Sequence, residues 1–277
     1  MKKDAIILRL FLFGFTYFYS MSLVASKSPF FATFKSLGTL FLFIAFGLFL
    51  DSSYVVAMTK NAQTYANISM LIGFSVVFWK VNTRIREQMI AAVVIAVLGE
   101  YLFSIALGMY TYRLENVPHY VPLGHALVYV AVLYFSKAAA ILKYKKKLTI
   151  FLSIFILIYA TVFLIVKKDV FGFVMTLATL LILRKKPRER LFYLTMYVTV
   201  AYLEIIGTHY LCWKWPATAW GVFDFLPSHN PPSGISLFYF LLDLGTLWLY
   251  KQRHKIAWIR MKRIRELKQN LKKVSSL

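Results

Sequence analysis

The stretch LTIFLSIFILIYATVFLIV, residues 148–166, decides the fold. It carries no charged residue and runs for about the 20 positions that a helix needs to cross a hydrocarbon core. Lys145, Lys146 and Lys147 stand before it, and Lys167 and Lys168 come after. Working outward, comparable apolar blocks lie at roughly 5–25, 33–50, 64–81, 89–109, 121–142, 169–183, 191–210 and 234–250. Hydrophobic residues make up 60% of the chain, with a mean hydropathy of +0.64. A soluble domain is nearer half apolar. The expected fold class is therefore all-α: a polytopic transmembrane helix bundle of eight or nine spans, over residues 1–250. Residues 5–25 come after Met1-Lys2-Lys3 as a signal peptide would. Their apolar core is long for one, and the expectation is an uncleaved first span.

The chain has 33 Lys and Arg against 11 Asp and Glu, a net charge of +22. On a soluble protein such charge suggests nucleic acid. Here the basic residues sit between spans, at Lys80–Arg86, Lys143–Lys147, Arg184–Arg190 and beyond Lys251. They alternate with weakly charged connectors at 110–120, 167–169 and 211–233, with Lys167 and Lys168 a small exception. The positive-inside rule places the basic set in the cytoplasm and the other set outside. The expected location is the inner (cytoplasmic) membrane with the C-terminus inside. The N-terminus is outside with nine spans and inside with eight, the side that Lys2 and Lys3 favour. Residues 251–277 form a separate basic tail. Ile256, Ile259, Ile264, Leu267 and Leu271 recur near helical spacing among Lys and Arg. That pattern reads as an amphipathic helix on anionic headgroups and not as a nucleic-acid segment. The single cysteine, Cys212, excludes an intrachain disulfide.

Acidic residues are rare enough to weigh singly. Glu100, Glu204 and Asp243 lie inside apolar blocks, while Glu115 and Asp224 lie in outward connectors. A carboxylate at membrane depth costs about 2.5 kcal/mol or more, and usually faces a cavity. A lone one also serves as a helix–helix hydrogen-bonding group. His119, His125, His209 and His229 stand in or beside the same two connectors, as do Trp213, Trp215 and Trp220. The polarity thus marks one site opening toward the outer face.

These residues recur in register. GEYLFSIALGMYTYRLENVPHYVPLGHALVY, residues 99–129, matches LEIIGTHYLCWKWPATAWGVFDFLPSHNPPSGISLFY, residues 203–239. Glu100 pairs with Glu204, Tyr110-x-Tyr112 with Trp213-x-Trp215, and Pro122 through Tyr129 with Pro232 through Tyr239. Each copy is span, outward loop, span, over about 89–142 and 191–250. Two spans separate them, so the repeat is parallel, an arrangement that tends to hold a site at its interface.

The element Glu204-Ile-Ile-Gly207-Thr-His209, with Gly108-Met-Tyr110-Thr-Tyr112 and Val117-Pro118 through Pro122-Leu123, resembles the integral-membrane carotenoid hydratases of bacteria and archaea. The general plan is similar to membrane-bound terpene cyclases and heterodimeric lycopene cyclases. The resemblance covers about a quarter of the chain and departs from the hydratases at HNPPSG, residues 229–234. It implies acid catalysis on an isoprenoid or carotenoid-like lipid, either hydration or cyclisation of an alkene. A desolvated carboxyl donates the proton, and aromatic faces with a second carboxylate hold the cation. The expected catalytic residues are Glu100, Glu204, Asp243, His125 and His209. Tyr110, Tyr112, Trp213, Trp215 and Asn230 are expected to contact substrate, with no cofactor and no metal. Two alternatives stand beside this: a metal-dependent lipid hydrolase using the same His and acids, and a proton-coupled transporter or lipid-binding protein.

Overall fold

The apolar blocks are helices in the computed structural model, which describes residues 29–274. The block at 5–25 lies outside the described residues. In chain order the helices are α1 (Pro29–Leu50), the single turn α2 (Ser53–Val56), α3 (Ala62–Lys80), α4 (Thr83–Glu100), α5 (Tyr120–Lys137), the short α6 (Ala139–Leu142), α7 (Lys145–Lys167), α8 (Val170–Arg184), α9 (Arg190–His209), α10 (Ser236–Arg253) and α11 (Lys255–Val274). Two small two-stranded sheets complete the described fold. One pairs β1 (Thr111–Tyr112) with β2 (Trp213–Lys214), the other β3 (Thr218–Ala219) with β4 (Phe223–Pro227).

Local sequence sets the helix ends. The Asn82 side chain accepts from the Ile85 amide at 3.1 Å and starts α4, as Asn does at an N-cap. Lys168 closes α7 in the left-handed conformation, with φ of 55°. Asp169 then caps α8 by accepting from the Gly172 amide at 3.1 Å.

Among the described residues four helical stretches are long and apolar enough to cross a membrane: Thr33–Val56, Thr83–Ala106, Lys145–Lys167 and Arg190–His209. Only 11% of the apolar window of α7 is buried. Ile150, Phe151, Ile154, Ile158, Ile165 and Val166 all face outward from it. Contiguous apolar surface of that extent needs an apolar surround. The protein is thus a mostly helical membrane protein.

The core lies where α5 meets α1, α3, α4 and α9, and where α4 and α9 each meet α10. Ala126, Val132, Leu194, Tyr197 and Val200 are fully buried there. The tail helix α11 leaves this bundle. Ile256, Ile259, Ile264 and Leu267 on it are exposed, and Glu87 on α4 pairs with His254 at its start.

Candidate active site

Glu100 ends α4 and is 4% exposed; Glu204 lies in α9 and is 3% exposed. Beyond Glu100 the chain makes a π-helical turn, Tyr101–Ala106, in which the Leu107 amide reaches the Leu102 carbonyl at 2.9 Å. Such a turn holds one more residue than an α-helical turn and so rotates the chain beyond it. The chain then doubles back through Gly108, at φ of 58°, into β1. That return brings two phenols onto the Glu100 carboxylate. Tyr110 and Tyr112 both donate to Oε2, the latter at 2.6 Å. The Nε2 of His125, one turn into α5, lies 2.9 Å from Oε1.

Glu204 is held in a matching way. The indole Nε1 groups of Trp213 and Trp215 donate to its Oε2 at 2.8 and 3.0 Å. The Tyr239 hydroxyl on α10 donates to Oε1 at 2.9 Å. Gly207 makes room for this, since a Cβ there would run into the Trp213 ring. The two sets of donors are joined. β1 and β2 pair antiparallel with Thr111 opposite Lys214 and Tyr112 opposite Trp213, and the Arg113 amide donates to the Cys212 carbonyl at 3.0 Å. Tyr110 lies against Trp215, ring centroids 4.6 Å apart, and His125 stacks on Tyr239 at 4.7 Å. Burial first, and then the neighbouring Glu100 charge, push the Tyr110 and Tyr112 phenols well above the usual tyrosine range, so both stay protonated donors.

Both carboxylates face one cavity. Its polar end is the set just described. The rest is apolar: Leu40, Phe43, Ile44, Gly47 and Leu48 of α1, Ala66 and Met70 of α3, and Leu127 and Val128 of α5.

Of the residues expected here, the fold gathers Glu100, Glu204, His125, Tyr110, Tyr112, Trp213 and Trp215 around this cavity. Three fall elsewhere. His209 is exposed and lies against Tyr210. It sits five residues beyond Glu204, which at 3.6 residues per turn places it about 140° round α9. Asp243 is buried one turn beyond Tyr239 but does not line the cavity, and its Oδ2 has no partner among the described residues. Asn230 also does not line it; its Oδ1 accepts from the Trp215 amide at 2.9 Å and so positions that indole. His119 is exposed at the start of α5, and the His229 amide donates to Asp169 Oδ1 at 3.2 Å. Among the described residues no three His, Cys, Asp or Glu side chains converge to hold a metal ion.

Three residues that sequence reasoning passes over matter here. Tyr239 completes the Glu204 cage. Asp51, between α1 and α2, is fully buried and pairs with Arg113, and it accepts from the Tyr120 hydroxyl at 2.9 Å. Asp169, also fully buried, accepts from the amides of Gly172, His229 and Ser233. Each aspartate ties the turn between two helices to the loop above the site. The scarcity of acids is the signal that points to both.

Comparison with family models, with curated proteins and with solved structures gives no match. The functional reading therefore rests on the site's own geometry and on the motif residues.

Proposed function

We propose that the protein is a multi-pass enzyme of the inner membrane that protonates an alkene of a lipid-soluble isoprenoid or carotenoid-like substrate, leading to hydration or cyclisation. One observation carries this: two buried carboxylates, each held by three side-chain partners, face a single aromatic-walled and otherwise apolar cavity. A positive charge forming between them meets two anionic groups and the faces of Tyr110, Trp213 and Trp215, in surroundings that strengthen both effects.

The partners assign unequal roles. Indole N–H groups only donate, so Oε2 of Glu204 accepts in every protonation state. The phenols and the imidazole around Glu100 can donate or accept. Glu100 can thus carry a proton and keep its partners. Glu100 with His125 is the proton source, and Glu204 faces the cation. In hydration the proton goes to one alkene carbon, a water oxygen bonds to the other, and the water's surplus proton returns to the Glu100–His125 pair. In cyclisation an internal alkene takes the place of water, and a proton lost from carbon returns to the pair.

The duplicated-unit reading is supported by the matched cages and by the antiparallel β1–β2 contact, which suits two units related by a pseudo-two-fold axis along the membrane normal. Asp51 and Asp169 extend the correspondence to the helix pairs α1–α3 and α7–α8. Eight or nine spans, a cytoplasmic C-terminus and a tail lying on anionic headgroups complete the reading.

Expression in a host that makes isoprenoids, with mass spectrometry of the lipid extract, tests it. A product heavier by one water, or an isomer of unchanged mass, is expected from the natural chain. Glu100→Gln and Glu204→Gln each abolish it at equal expression. Full turnover in both variants refutes the assignment. Proton-coupled transport is the second reading, favoured by the direct contact of the buried Glu100 with His125 at 2.9 Å; uptake with no altered lipid would select it.

A further inference from the structure

The cavity is polar at one end and apolar at the other, and a slot in its apolar part has an unusual construction. Met70 of α3 projects between Gly47 of α1 and Gly124 of α5. Its methyl carbon lies 3.8 Å from where a Cβ on Gly47 would sit and 3.6 Å from the same point on Gly124. Among the described residues, leaving aside each glycine's chain neighbours and its own helix backbone within four residues, nothing but Met70 comes within 4 Å of either point. All three line the cavity, and Met70 is 8% exposed. Two helices thus present bare backbone to one unbranched, flexible side chain. A thioether of this kind fills irregular space and can change rotamer at little cost. Were the gap needed only for close helix packing, a neighbouring helix would fill it rather than a movable chain end.

We propose that this slot is the tail-binding arm of the cavity and that Met70 sets the length of apolar chain it accepts. The ligand is then an amphiphile. Its reactive or charged group lies at Glu100 and Glu204, and a single flexible apolar chain runs along α1 and α5. This deepens the enzymatic reading given above and rests on it for the nature of the head group only. Because lipid is as apolar as the slot, transfer from the membrane gives little selectivity. Selectivity comes from fit, and a chain too long for the slot is overpacked.

The test uses the full chain in nanodiscs and a graded series of n-alkyltrimethylammonium amphiphiles, with binding read by quenching of tryptophan fluorescence. At fixed mole fraction in the lipid, affinity should stay level with length and then drop about 5- to 150-fold at the first chain too long, the equivalent of roughly 1–3 kcal/mol of overpacking at 1.36 kcal/mol per tenfold. Met70→Ala should move that break to chains longer by about two or three carbons, the reach of the atoms removed. Gly124→Val, which builds into the same slot from the opposite wall, should move it to shorter chains. A break that stays put in both variants, or no break in the natural chain, overturns the proposal. A length break without any lipid product leaves the arm standing and sinks the enzymatic reading; product formation without a break does the reverse.

Discussion

Replacing Glu204 by Gln and by Leu separates charge from packing at the site. The carboxylate accepts two indole N–H groups on one oxygen and a phenol on the other. In Glu204→Gln the amide oxygen can keep both indoles, while the amide nitrogen faces a hydroxyl able to accept. All three contacts survive, and the expected loss of stability is under about 1 kcal/mol, a typical net value for one hydrogen bond. Glu204→Leu strands both indole donors, and an unmet buried donor costs about 1–3 kcal/mol. The Tyr239 hydroxyl, half-buried and bordering the cavity, can turn to water, so the two indoles dominate at about 2–6 kcal/mol. At roughly 2–4 °C per kcal/mol for a chain of this order, Leu should lower the melting temperature by somewhere near 5–20 °C and Gln by only a few degrees. The assay is thermal unfolding of purified protein in one detergent, monitored by tryptophan fluorescence. Equal losses for Gln and Leu would mean that charge and not donor satisfaction holds the cage. No loss for Leu would mean that the indoles find other partners, and the cage as described would be wrong.

Two more outcomes are expected of the same molecule. Asp51→Asn leaves Arg113 in a largely buried position without its counter-ion and should destabilise by about 3–5 kcal/mol, the usual cost of breaking such a pair; Asp51→Asn with Arg113→Met should recover much of it, and strict additivity in that double-mutant cycle refutes the pairing. A peptide of residues 254–274 should bind anionic vesicles and not zwitterionic ones, and changing Arg260, Lys262 and Arg263 to Gln should weaken it by about 3 kcal/mol at about 1 per basic residue; equal affinity for both vesicle types contradicts the surface-helix reading.

Much of the fold is legible in the sequence because lipid imposes a crude demand. A block of apolar residues of spanning length has few options besides a helix, and each of the eight blocks within the described residues overlaps helix, with four stretches there long and apolar enough to cross. The borders are less legible. Helix α4 begins at Thr83, well before the apolar block at 89, because Asn82 caps it and the charged turn through Glu87 belongs to the helix without belonging to the hydrocarbon. Residues 121–142 read as one block, but the helix breaks at Ala138. The site is legible where chemistry repeats: the spacing from Glu100 to Tyr110 and Tyr112, and from Glu204 to Trp213 and Trp215, survives as geometry. It fails at the second wall. Aligned by sequence, Tyr239 falls opposite Tyr129, whereas in space it does for Glu204 what His125 does for Glu100, because loops of unequal length start α5 and α10 at different points. The α1–α3 side of the cavity has no signal at all, being ordinary apolar sequence whose importance comes only from what it faces. Asp243 is conspicuous in a span, and its place one turn beyond Tyr239 on α10 leaves it buried outside the lining of this cavity.

The β1–β2 contact has a consequence for how anything could move through this molecule. A carrier that alternates between two sides usually rocks one half against the other. Here Tyr112, which donates to Glu100, and Trp213, which donates to Glu204, sit on two strands bonded to each other. Rocking of that kind would shear the strand pair and disturb one donor at each carboxylate, Tyr112 and Trp213. Any movement of the helix that carries Glu100 relative to the one that carries Glu204 has either to take the β1–β2 pair along as a unit or to break it first.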